Sequence, residues 1–151
     1  GPNEDHKNSM KSVAAQIWPH VRDGQTVQLF KSYRPDIADG GQLRDFVYVR
    51  DVADVVQWLV ATPEVSGVYN LGSGRARSFE DLAKAVFAAA GKTPAIEYMP
   101  MPPAIREKYQ YFTEARMDRL RAAGYAGAST PLEEGIADYV GRYLSQPDPY
   151  R

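Results

Sequence analysis

Apolar residues recur at helical spacing over residues 8–22, where Met10, Val13, Ala14, Ile17 and Trp18 form one stripe. Pro19 is expected to kink that helix or end it early, and Asp23-Gly24 to stop it. Residues 26–30 read as a short strand, and residues 31–43, with Pro35, Gly40 and Gly41, as a loop. A second strand is predicted over residues 45–49. Asp51 then reads as the N-cap of a helix whose stripe (Val52, Val55, Val56, Leu59, Val60) stops before Pro63. A third strand over residues 68–71 leads into Gly72-Ser73-Gly74. Ser78, with Asp81 three residues on, caps a helix whose inner face is Phe79, Leu82, Ala83, Val86, Phe87 and Ala90, and Gly91 stops it. A fourth strand over residues 96–99 runs into Pro100, Pro102 and Pro103. One further helix is expected after Thr113 up to Ala123. Another starts with Thr130 as cap, Pro131 in first position and Glu133 closing a capping box. Strands alternating with helices predict an α/β fold with a small, partly parallel sheet. Residues 145–151, with Pro147 and Pro149, read as a flexible tail behind a structured portion over 1–144.

Composition narrows the class. The 151 residues suffice for one domain with a core, and 44% hydrophobic and 25% charged residues are ordinary for a globular chain. A net charge of −1 gives no electrostatic reason for nucleic acid or an anionic membrane as partner. No window approaches the ~20 apolar residues of a spanning helix. The absence of cysteine excludes disulfides and thiolate chemistry and fits a cytoplasmic protein. No His/Asp/Glu cluster has metal-ligand spacing, and no nucleophilic triad is recognisable. The sequence opens on Gly1 rather than methionine, and further residues upstream are expected.

Arg44-Asp45-Phe46-Val47-Tyr48-Val49-Arg50-Asp51-Val52-Ala53, followed one helix later by Tyr69-Asn70-Leu71-Gly72-Ser73-Gly74, resembles the paired signatures of extended short-chain dehydrogenases/reductases acting on nucleotide sugars. Gly1-Pro2-Asn3-Glu4-Asp5-His6-Lys7-Asn8-Ser9-Met10, Leu29-Phe30-Lys31-Ser32, Lys108-Tyr109-Gln110-Tyr111-Phe112-Thr113 and Leu120-Arg121-Ala122-Ala123-Gly124-Tyr125 narrow the likeness. They are similar to stretches of the 6-epimerase family that acts on ADP-linked heptoses, from residue 1 to about residue 144. The resemblance implies the C-terminal, substrate-binding part of an isomerase that inverts C6″ of an ADP-heptose for lipopolysaccharide core synthesis. It also implies NADP bound mainly by an N-terminal Rossmann domain, and a homo-oligomer. Two essentials of that chemistry are absent from these residues. There is no GxxGxxG loop, since Arg77 stands where a third glycine would follow Gly72 and Gly74, and no tyrosine has a lysine four residues later. Without its N-terminal domain the chain is expected to be inactive.

The resemblance also assigns residues. Lys7 matches the second acid/base residue, which lies near the cofactor; without the match it reads as a solvated lysine. Arg44 matches a binding residue, and its guanidinium fork suits a diphosphate. Its alternative is pairing with Asp45 or Asp51. Ser9, Gln16, Phe30, Lys31, Ser32 and Tyr109 match substrate contacts. Phe30 could equally be core at a strand end, and Lys31 could be solvated. Gln16 stands where some relatives have histidine, and Asn8 where glycine is commoner. His6 and Asp45 read as structural, and Gly72-Ser73-Gly74-Arg75 as a strand-to-helix turn rather than a phosphate cradle. Two other readings stay open: a UDP- or dTDP-sugar epimerase or dehydratase, and a non-catalytic sugar-nucleotide-binding module.

Overall fold

The computed structural model describes residues 1–148, apart from the side chains of Asp5 and Ser9. Helix α1 (Val13–Arg22) carries its apolar stripe into the main core through Ala14, Ile17, Trp18 and Val21, and Ser12 caps it by accepting from the Ala15 N–H. It runs on past Pro19 to Arg22. Upstream, Asp5–Met10 forms a tight 3-10 turn broken at Asn8, whose φ of 48° lies in the region glycine favours. The predicted helix over 8–22 therefore starts five residues late, and Met10 is 81% exposed rather than part of its stripe. Buried Glu4 ties the turn down: it accepts from the Ser12 N–H (2.6 Å), the Ser12 hydroxyl (2.8 Å) and the Tyr139 hydroxyl (3.0 Å).

Strand β1 (Val27–Phe30) pairs in parallel with β4 (Ile96–Met99), Val27 opposite Ile96 and Phe30 opposite Met99. Its alternating pattern buries Val27 and Leu29. A second, antiparallel pair joins β2 (Leu43–Arg44) to β3 (Arg77–Ser78). Helix α3 (Phe79–Ala89) follows, with the predicted box intact: the Ser78 hydroxyl accepts from the Asp81 N–H and the Asp81 carboxylate from the Ser78 N–H. α3 packs on α1 and on α6 (Leu132–Tyr139), and Phe87, Val86 and Ala83 fill the space between them. A wide helical turn, Val140–Leu144, extends α6. Helix α4 (Pro103–Arg106) is a single turn. A smaller cluster joins α2 (Val49–Ala61) to α5 (Asp118–Ala122) through Val55, Leu120 and Tyr125, with Trp58, Leu59 and Met117 around them. These two clusters hold the chain. The ion pairs are at most partly buried, and such pairs contribute ~0–1 kcal/mol each, less than one fully buried Leu or Phe.

Six local readings are corrected, most because a side chain found a distant partner or a segment lacked one. Residues 45–48 are not a strand; the ladder ends at Arg44, and α2 begins at Val49. Asp51 is not the cap of α2. It lies buried in the first turn and accepts from the Thr130 N–H (2.8 Å) and hydroxyl (2.6 Å). Thr130 is thereby withdrawn from capping α6, whose N-cap is Pro131 with no side-chain bond. Residues 113–117 are not helical, because the Ala115 N–H donates to Asp45 (2.9 Å) and Glu114 accepts from the Ala76 N–H (2.8 Å). Residues 68–71 form no ladder with any described residue, and Val68 is 81% exposed. On α2 only Val55 of the expected stripe is buried, while Val56 and Val60 are exposed. Of the expected tail, Pro149, Tyr150 and Arg151 lie outside the described residues.

Candidate functional site

The ends of β1 and β2 place Phe30 and Arg44 beside the 109–111 segment. The Arg44 guanidinium lies 5.2 Å from the Tyr109 ring centre and 5.6 Å from that of Phe79. The Phe30 and Tyr109 rings meet edge to face at 6.2 Å, and Tyr109 and Tyr111 at 5.6 Å. The Leu43 N–H donates to the Tyr111 carbonyl (2.8 Å) and the Thr113 N–H to the Leu43 carbonyl (3.3 Å), which fixes the tyrosines against β2. Buried Gln42 fixes the other side, donating to the carbonyls of Phe30 and Lys31 at 3.2 Å. Ser32 is held by its N–H to Asp39 (2.6 Å), and Lys31 is exposed at the end of the parallel ladder.

Among the described residues Arg44 has no ion pair, and its guanidinium donates one hydrogen bond, from Nη1 to the Leu43 carbonyl (2.8 Å). The two carboxylates that the sequence offered it are occupied, Asp51 by Thr130 and Asp45 by four donors: the N–H groups of Ser73 (2.7 Å), Gly74 (3.0 Å) and Ala115 (2.9 Å) and the Ser73 hydroxyl (2.5 Å). A cation stacked between rings, with its remaining N–H donors unclaimed among the described residues, is suited to an anionic group carried by a flat ligand. Burial pushes the Tyr109 phenol above its ordinary value, against the pull of the Arg44 cation. It therefore faces a ligand as a neutral ring and hydroxyl. Arg44 also lines a largely apolar cavity of about 390 Å³ with Lys11, Ser12, Phe46 and Phe79, within the range of small-molecule sites.

The Gly72-Ser73-Gly74 turn does not fit a dinucleotide. Its N–H groups at 73 and 74 already hold the Asp45 carboxylate, so an anion of this chain sits where a pyrophosphate would need to. A Cβ on Gly72 would overlap Asp45 and the Ala115 methyl, which explains the glycine as a close approach of backbone to carboxylate. Among the described residues no group of His, Asp and Glu is placed to hold a metal ion. None of the described helices is long and apolar enough to cross a membrane.

Phe30, Arg44 and Tyr109 thus meet directly, with Lys31 and Ser32 next to them in the chain. Lys7 is exposed in the 3-10 turn. Gln16 is exposed on α1, its amide donating to the Lys11 carbonyl (2.6 Å). The Ser9 side chain lies outside the described residues. Sequence reasoning passed over Phe79, under Arg44, and Tyr111, whose hydroxyl accepts from the Tyr33 N–H (3.0 Å) and whose ring carries Arg34 at 5.5 Å. Tyr111 was legible in its position two residues from Tyr109, the spacing that puts side chains of an extended segment on one side.

The sequence profile of the NAD dependent epimerase/dehydratase family matches residues 1–72. An ADP-L-glycero-D-manno-heptose-6-epimerase of Nitratidesulfovibrio vulgaris is 49% identical over 150 residues, which make up 99% of this chain and 46% of that protein. The crystal structure of Helicobacter pylori ADP-L-glycero-D-manno-heptose-6-epimerase is similar with a TM-score of 0.72 at 28% identity, over 94% of this chain and 40% of that one. Thermus thermophilus UDP-glucose 4-epimerase, solved in complex with NAD, gives 0.69 at 29% identity, over 91% and 41%. The chain spans about half the length of the curated relatives it matches. The chain is thus similar to the ADP-L-glycero-D-manno-heptose-6-epimerases, and its residues 1–72 match the NAD dependent epimerase/dehydratase family.

Proposed function

We propose that this chain is the C-terminal, nucleotide-sugar-binding half of an NADP-dependent epimerase that inverts C6″ of an ADP-heptose. In this reading it serves lipopolysaccharide core synthesis in the cytoplasm, as part of a homo-oligomer, and is inactive without its N-terminal half. The observation that carries the reading is Arg44, stacked between Phe79 and Tyr109 and free of carboxylate partners among the described residues. Its fork pairs with the diphosphate, while Phe30 and Tyr109 offer faces to the adenine or the sugar. Lys31, Ser32, Ser9 and Gln16 supply polar contacts around them. Lys7 is the acid/base residue and touches the cofactor; its ammonium needs burial or a nearby cation to exchange protons near neutrality, and the rest of the enzyme supplies that environment. NADP is held mainly outside this chain, in keeping with the occupied turn at Gly72-Ser73-Gly74, and no hydride step is assigned to these residues.

The relatives at 49% identity favour ADP-heptose over a UDP-sugar, a choice the shared fold leaves open. The test of the carrying observation is Arg44→Met in the full-length protein. Affinity for ADP-heptose is expected to fall about 100-fold, and Arg44→Lys to recover only part of it, because a point charge lacks the fork. Unchanged affinity in Arg44→Met, with the circular dichroism spectrum intact, would remove Arg44 from the site.

A further inference from the structure

A second cavity, about 290 Å³, shares Phe46 and the Thr130-Pro131-Leu132 stretch with the larger one but does not include Arg44. Three arginines line it, Arg75, Arg77 and Arg121, and no acidic side chain does. Their charges are unequally satisfied. Arg77 is neutralised by Asp81 (3.1 Å) and Glu133 (2.7 Å). Among the described residues Arg121 donates only to main-chain carbonyls, those of Tyr125 (3.1 Å) and Gly127, and lies 5.4 Å from the Tyr125 ring centre. The guanidinium of Arg75 has no carboxylate partner among the described residues, and Arg75 is exposed. The nearby carboxylates of Asp45 and Asp51 are saturated by their own donors. Two uncompensated cations therefore face one small space.

Helix α6 starts at this cavity but adds no net positive end, since Glu133 and Glu134 stand in its first turn. The Ser129 hydroxyl, also in the lining, has no partner among the described residues and is available as a donor. Two guanidinium forks and a hydroxyl around a space of this size match a phosphate group with a small remainder. We propose that this cavity binds a phosphate-bearing small molecule, its phosphate oxygens paired with Arg75 and Arg121, at a site separate from Arg44.

The test uses the full-length protein, titrated by calorimetry with inorganic phosphate and with glucose 6-phosphate at fixed ionic strength, chloride serving as the control anion. Arg121→Ala removes two main-chain contacts as well, so Arg75→Ala is the decisive variant. Phosphate affinity is expected to fall about 10-fold in Arg75→Ala, the loss of one charge-assisted pair. Tighter binding of glucose 6-phosphate identifies an esterified ligand, and tighter binding of phosphate the free ion; either supports the site. Equal binding in Arg75→Ala would overturn it, as would loss in Arg44→Met alone or binding no stronger than chloride. So would a change of sedimentation in Arg75→Ala without phosphate binding, which would mark a protein contact instead.

Discussion

Arg44 owes its availability to the engagements of two neighbours. Asp45 and Asp51 lie one and seven positions away, and both were candidate partners from sequence; each is instead saturated by backbone and hydroxyl donors from residues 73–74, 115 and 130. That outcome was not legible locally. Asp51 and Thr130 are residue types that cap helices, yet each satisfies the other across 79 positions, since a short polar side chain bonds whichever donor the fold brings near. By contrast, the Ser78–Asp81 box depends only on residues three apart and formed as read. Asn8, at a position where the resembled family more commonly has glycine, has a φ of 48° next to Lys7. Lys7 itself is expected to be dispensable for folding and needed for turnover. In the full-length protein Lys7→Met should lower epimerisation by about 10²–10⁴-fold, the usual worth of a positioned acid/base group, with an unchanged thermal midpoint. Near-normal turnover would exclude Lys7 from the chemistry.

The elements that matched expectation are those with a strong apolar period and a built-in stop. Helix α3 has Ser78 before it and Gly91 after it, and β1 alternates between core and solvent. Residues 45–49 have the apolar composition of a strand and residues 113–117 good helix formers, but the Ala115 N–H is committed to the Asp45 carboxylate, which ties the two segments together. That knot gives a prediction at this scale. Burial opposes ionisation of Asp45, but donors from Ser73, Ala115 and Gly74 outweigh it and hold its carboxyl below the usual range. A folded value below the unfolded one contributes stability that is present above about pH 4 and lost as pH falls through the folded value. The thermal midpoint should therefore drop on acidification below about pH 4. Asp45→Asn should start from a stability lower by ~1–3 kcal/mol and lose that part of the acid dependence. An identical acid limb in the variant would show that Asp45 is not the group responsible.

For the molecule as a whole, the core around Phe87, Val86 and Val21 and the smaller cluster around Leu120 make a scaffold that brings β1, β2 and the 109–111 segment to one place. The α/β class and the parallel pair were readable from alternation of elements. The strand expected over 68–71 was not realised, because a strand exists only with a neighbouring backbone to pair with, and no described residue provides one. The site likewise was only half readable: Phe30 and Arg44 converge on Tyr109, while Lys7 and Gln16 are exposed on the turn and on α1. The proposed function requires this scaffold to select an ADP-linked heptose. Calorimetric titration of the full-length protein with ADP-heptose and with UDP-glucose measures that choice directly. ADP-heptose is expected to bind at least about 10-fold more tightly, a difference of ~1.4 kcal/mol; UDP-glucose binding as tightly or more so would contradict the account.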